Sequence, residues 1–105
     1  MGNYVFVYRG GKEFTSHEEG AKHMAKWRAW SGGLGDASVN RGSPFGKSKT
    51  VSSSGVSDGD GSNPLKGYSM VKADSLDAAL EIAKACPHLG IGGAIVVAEV
   101  MEMEM

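Results

Sequence analysis

Two short segments constrain the fold more than any other feature: YVFVY at residues 4–8 and AIVVAEV at residues 94–100. Strand side chains point alternately to opposite faces, so a strand covered on one face only alternates apolar with polar residues. Neither segment alternates. Every residue of YVFVY is β-branched or aromatic, and AIVVAEV breaks its apolar run only at Glu99. A sheet that holds both strands has to be covered on both sides.

The remaining elements follow from spacing. Arg9, Gly10 and Gly11 end the first strand in a turn. Ser16 and Glu19 form an S-x-x-E capping box, which starts a helix near Ser16. Gly20, His23, Met24, Trp27, Trp30 and Leu34 recur at steps of three and four, one stripe of that helix, and Gly32, Gly33 and Gly35 close it. Residues 36–65 are the least regular part. They read as a β-hairpin with KSKTVSS as one arm, Asp-Gly dipeptides at the tip and a return arm from near Gly67. GYSMVKA (67–73) is a strand with Tyr68 and Met70 on one face and Val71 and Ala73 on the other. Asp74 or Ser75 then caps a second helix whose stripe is Leu76, Ala79, Leu80 and Ala83, and Pro87 stops it. The last strand follows, and the terminal MEMEM continues its two-residue period.

This order predicts a ferredoxin-like α+β domain spanning 1–105, with a βαββαβ antiparallel sheet and two helices on one face. The helices cover one side only. The apolar second side of the outer strands predicts a homodimer joined sheet to sheet.

Charge and composition exclude several classes. Eleven basic and 12 acidic residues give a net charge of −1 with no long run of either sign, which argues against nucleic acid and anionic membrane partners. The amino terminus has too short an apolar stretch for a signal sequence, and no segment approaches a membrane span. A lone cysteine, Cys86, fits a reducing compartment, so a cytoplasmic protein is expected. His17, His23 and His88 lack metal-ligand spacing, so no metal is expected. GLGDAS follows a helix instead of a strand and is no dinucleotide fingerprint; no cofactor is expected.

Four stretches carry a family resemblance: YVFVYRG, the helix ending in WRAW, LGDASVNRGSPFG, and LKGYSMVKADSLDAALEIAKACPHL. Together they resemble the YCII-related, or DGPF-domain, proteins. The resemblance implies a dimeric α+β barrel of ferredoxin-like protomers. It also implies kinship with enzymes that act on small aromatic compounds, for which a histidine and aspartate pair has been proposed as the active site. His23 matches the histidine. The aspartate position is occupied by Cys86, and SDGDGSNPLKGY stands in place of the DGPF motif.

His23 is the candidate catalytic group. An imidazole titrates near neutrality, and modest burial or a nearby acid sets its charge, which suits a general base. The competing reading is a packing residue beside Trp27; the shared stripe with Met24, Trp27 and Trp30 places it toward a ligand-sized cavity instead. Tyr8, Trp27, Phe45, Tyr68 and His88 are the candidate ligand-binding residues, with Phe45 presented as a pocket lip by the tight turn GSPFG. Trp27 and Trp30 also fit a simple core, and His88 also fits a group that stabilises the end of helix 2. Cys86 reads as a packed thiol, because the helix C-terminus disfavours a thiolate. Two functions fit. One is a small-molecule-binding or accessory protein with a pocket between sheet and helix 1. The other is a cofactor-independent enzyme with His23 as general base, oriented by Tyr8, Asp36 or Tyr68.

Overall fold

The computed structural model describes residues 2–59 and 64–101. The elements are β1 (Gly2–Gly10), α1 (His17–Gly33), β2 (Ser38–Pro44), β3 (Lys49–Ser52), β4 (Gly55–Asp58), β5 (Leu65–Ala73), α2 (Leu76–Lys84) and β6 (Gly93–Val100). Short 3-10 turns, Gly35–Ala37 and Pro87–Ile91, follow the two helices. Strands β2, β5, β1 and β6 form one antiparallel sheet in that order, with both helices on one face. This is the ferredoxin-like α+β arrangement, with β3 and β4 added as a separate hairpin.

The helix-facing side is the core. Tyr4, Phe6 and Tyr8 of β1, Val71 and Ala73 of β5, Ala79 and Ala83 of α2, and Cys86 are buried together. Ile95 and Val97 of β6 extend this layer. On the opposite side Val5 pairs with Met70 and Ala98, and Val7 with Tyr68 and Val96. That apolar side faces outward in the single chain, and Val96 keeps 49% of its surface exposed. Among the described residues, no helix is long and apolar enough to cross a membrane.

Both helix starts lie where their caps place them. Ser16 Oγ accepts the Glu19 N–H at 3.1 Å, and Ser75 Oγ accepts the Ala78 N–H at 3.1 Å. The Glu19 carboxylate reaches one residue further back than a capping box requires, accepting from the Thr15 amide at 2.9 Å and the Thr15 hydroxyl at 2.7 Å.

Four expectations are corrected. The hairpin in the middle turns at Ser53 and Ser54, with Val51 opposite Val56, not at the Asp-Gly dipeptides. Asp58 instead ends the second arm, the next Asp-Gly pair lies outside the described residues, and the segment near Gly67 belongs to β5. SVNRGSP, read as irregular, is the edge strand β2; its pairing rests on backbone hydrogen bonds to β5, which leave no apolar period in the sequence. In α2, Ala79 and Ala83 face the sheet while Leu76 and Leu80 are exposed, because small side chains let the helix sit close to β1 and β5. Strand β6 ends at Val100, with Met101 outside it, and the last four residues of MEMEM lie outside the described residues.

Helix α1 is the exception to close packing. None of its residues is fully buried, and Met24, placed by the stripe against the sheet, is 52% exposed. Its contact with the core runs through large rings. Trp27 meets Tyr8 edge-on at 4.9 Å between ring centres, and Trp30 stacks on Phe6 at 6.4 Å while its Nε1–H donates to the Ile82 carbonyl at 3.2 Å. These rings prop the helix away from β1 and leave space beneath its first half.

Candidate functional site

That space is a cavity of about 660 Å³, within the range of small-molecule sites. Its floor comes from Tyr8 and His88, and its roof from Phe14, His23, Met24 and Trp27. The bulged end of β2, the turn after β1, and Ile91 complete the wall.

The roof is organised by one hydrogen bond. His23 and Trp27 are four residues apart on one helix face, and Trp27 Nε1–H donates to His23 Nε2 at 2.6 Å. An indole nitrogen only donates, so His23 Nε2 is the acceptor and the neutral ring carries its proton on Nδ1. Nδ1 makes no hydrogen bond with another described residue, and it is not sealed from solvent. The ring also lies 5.0 Å from Phe14. His23, which lines the cavity, therefore carries an N–H donor that no described residue engages.

Burial is the main cause holding His23 below its ordinary value of 6.5, with His88 and Lys26 adding to the effect. The Trp27 bond acts in the same direction, since protonation abolishes it. The folded chain thus binds this proton less readily than the unfolded chain, and stability rises with pH where the unfolded histidine is still protonated. The contribution is complete above the ordinary value and is lost as pH falls through the lower folded one. We expect the urea midpoint to drop between about pH 7.5 and about pH 5.5, and the drop to shrink in His23→Gln. Equal pH dependence in the two proteins would contradict this coupling.

The floor is fixed differently. Tyr8 lies at the end of the buried face of β1, with its hydroxyl 2.5 Å from Ser69 Oγ of β5. Burial pushes its phenol far above the usual range, partly opposed by the Ser69 bond, so it stays protonated. His88 is carried by the 3-10 turn after α2 and is 4% exposed. Its Nε2–H donates to the Arg9 carbonyl at 2.9 Å, and its ring lies 5.5 Å from Tyr8. Two glycines make room for it. A Cβ on Gly93 would stand 2.2 Å from His88 Nε2, and one on Gly11 would stand 3.2 Å from Cε1.

The remaining candidates are distributed unevenly. Tyr8, Trp27 and His88 line the cavity with His23, and Tyr68 borders it although its side chain is directed to the other face of the sheet. Tyr68 belongs to the outer-facing set of β5, and its ring stacks on Phe45 at 5.8 Å. Phe45 is outside the lining, because it follows the end of β2 and covers Tyr68. Asp36 is exposed in the turn after α1 and is also outside the lining. Cys86 is buried, and burial raises its thiol to about 11, so it is a neutral packed group. Among the described residues, no three His, Cys, Asp or Glu side chains converge on a metal site. Sequence reasoning overlooked Phe14, Arg41, Gly11 and Gly93. The Gly-Gly pairs at 10–11 and 92–93 were the available signal for a close approach by a side chain.

No protein-family profile and no curated protein sequence matches the chain. Among solved structures, it is similar to the 5-chloro-2-hydroxyhydroquinone dehydrochlorinase TftG of Burkholderia phenoliruptrix, determined in complex with 2,5-dihydroxybenzoquinone. The identity is 17%, the similarity covers 94% of this chain and 95% of the other, and the TM-score is 0.56. At this identity the likeness concerns the fold.

Proposed function

We propose that the chain is a YCII-related small-molecule-binding protein whose ligand sits between α1 and the sheet. The observation that carries the proposal is the unengaged His23 Nδ1–H, on a ring that lines the cavity together with the rings of Tyr8, Phe14, Trp27 and His88; it would supply one directed polar contact beside flat apolar surfaces. A general-base role for His23 has less support. In the neutral tautomer its only basic nitrogen is Nε2, and that lone pair is engaged by Trp27.

The test uses 2,5-dihydroxybenzoquinone, the compound bound by the structural neighbour, with the quenching of Trp27 and Trp30 fluorescence as readout. His23→Ala is expected to leave folding nearly intact and to weaken binding by about 1–3 kcal/mol, the effect of removing one buried hydrogen-bond partner. A loss of stability with unaltered binding would make His23 a packing residue.

The open sheet face supports a second part of the proposal, a homodimer in which the Val5, Val7, Val96 and Ala98 surfaces of two copies meet. Light scattering at micromolar concentration is expected to give twice the chain mass, and Val96→Asp to give a monomer. A monomeric unmodified chain would refute the pairing.

A further inference from the structure

We infer that the ligand is a planar aromatic anion, held through a carboxylate or phenolate oxygen by Arg41; this inference rests on the cavity reading and narrows it to one charge class. The cavity lining contains three cations, Lys12, Arg41 and Lys66, against one carboxylate, Glu13, in a chain whose overall charge is −1. The imbalance is local to the site.

The three cations are not equivalent. Lys12 already faces Glu19 at 3.7 Å, so part of its charge is answered within the protein. The side chains of Arg41 and Lys66 make no ion pair or hydrogen bond with another described residue. Arg41 is also the best placed of the three. It lines the main cavity and a smaller one of about 40 Å³ beneath Trp27 and Trp30, so it reaches the zone where the aromatic roof meets the sheet.

The position of Arg41 is built by the backbone. The register between β2 and β5 shifts between Asn40 and Ser43, and Gly42 there adopts φ +73°. A bulge of this kind re-aims the side chains beside it, which a regular edge strand would not do. A guanidinium offers a planar fork of donors that matches a carboxylate and also stacks on rings, whereas an ammonium offers a point charge. A flat ring lying under Trp27 with its anionic group toward Arg41 would satisfy both halves of the lining. His23 Nδ1–H would then bond an oxygen elsewhere on the ring.

The test compares two isosteric probes that differ in charge, 4-hydroxybenzoate and 4-hydroxybenzamide, by isothermal titration. The benzoate is expected to bind about tenfold or more tightly than the amide, the range of one charge-assisted hydrogen-bonded contact. Arg41→Gln should abolish that preference while leaving amide binding within about twofold, and Arg41→Lys should retain part of it. Benzoate affinity should fall as sodium chloride rises from about 50 to about 500 mM, with little change for the amide. Equal binding of the two probes, tighter binding of the amide, or an unchanged preference in Arg41→Gln would overturn this inference and leave the cavity reading intact. Failure of both probes and of 2,5-dihydroxybenzoquinone at millimolar concentration would overturn both.

Discussion

Gly42→Ala is expected to destabilise the protein by about 3 to 5 kcal/mol, measured by urea unfolding. Two effects act together. Gly42 has φ +73°, a left-handed conformation that a Cβ disfavours. The added Cβ would also fall 1.6 Å from the Tyr68 carbonyl oxygen and 2.9 Å from Ser69 Cα, which are backbone atoms of β5 that cannot swing aside. The edge strand would have to lift from the sheet, taking with it Arg41 and the wall formed by Ser43 and Pro44. Gly46→Ala, where no atom lies within 4 Å of the added carbon, serves as the control and should change stability by less than about 0.5 kcal/mol. Similar values for the two variants would refute the close approach of β2 to β5.

Gly93→Ala is expected to lose about 2 to 4 kcal/mol by a different route. No positive φ is involved at this position. The new Cβ would stand 2.2 Å from His88 Nε2 and 2.4 Å from Cδ2, so the ring has to leave its slot and give up the bond to the Arg9 carbonyl. A displaced ring has the cavity beside it, and binding of 2,5-dihydroxybenzoquinone should weaken with the fold. The double variant Gly93→Ala/His88→Ala removes the clash together with its target. Its destabilisation should therefore be smaller than the sum of the two single changes. Additive losses would mean that Gly93 matters for some reason other than His88.

The parts of the fold that depend on side-chain period and on caps were legible in the sequence. Tyr4, Phe6 and Tyr8 are buried on one face of β1 while Val5 and Val7 form the other, and Ser16 and Ser75 start the helices. What depends on backbone pairing was not legible. Residues 38–44 contain one large apolar residue, Val39, so their membership of the sheet left no pattern to read. The α2 stripe was misjudged for a related reason: hydrophobicity ranks Leu76 and Leu80 above Ala79 and Ala83, but the close approach of helix to sheet selects the smaller side chains. At the site, the i,i+4 spacing of His23 and Trp27 was visible, whereas the direction of the bond between them, with His23 Nε2 accepting, was not. Arg41 was missed because the register of β2 shifts between Asn40 and Ser43, which leaves no strand period to read there.

On the proposed function, a small planar molecule lies between α1 and the sheet and accepts a hydrogen bond from His23. A crystal structure of the protein grown with 2,5-dihydroxybenzoquinone decides whether it does. The expected result is one molecule beneath Trp27, with an oxygen about 2.7–3.2 Å from His23 Nδ1 and the Trp27 to His23 bond retained. A molecule bound elsewhere on the surface, or a cavity free of it at saturating concentration, would contradict the account.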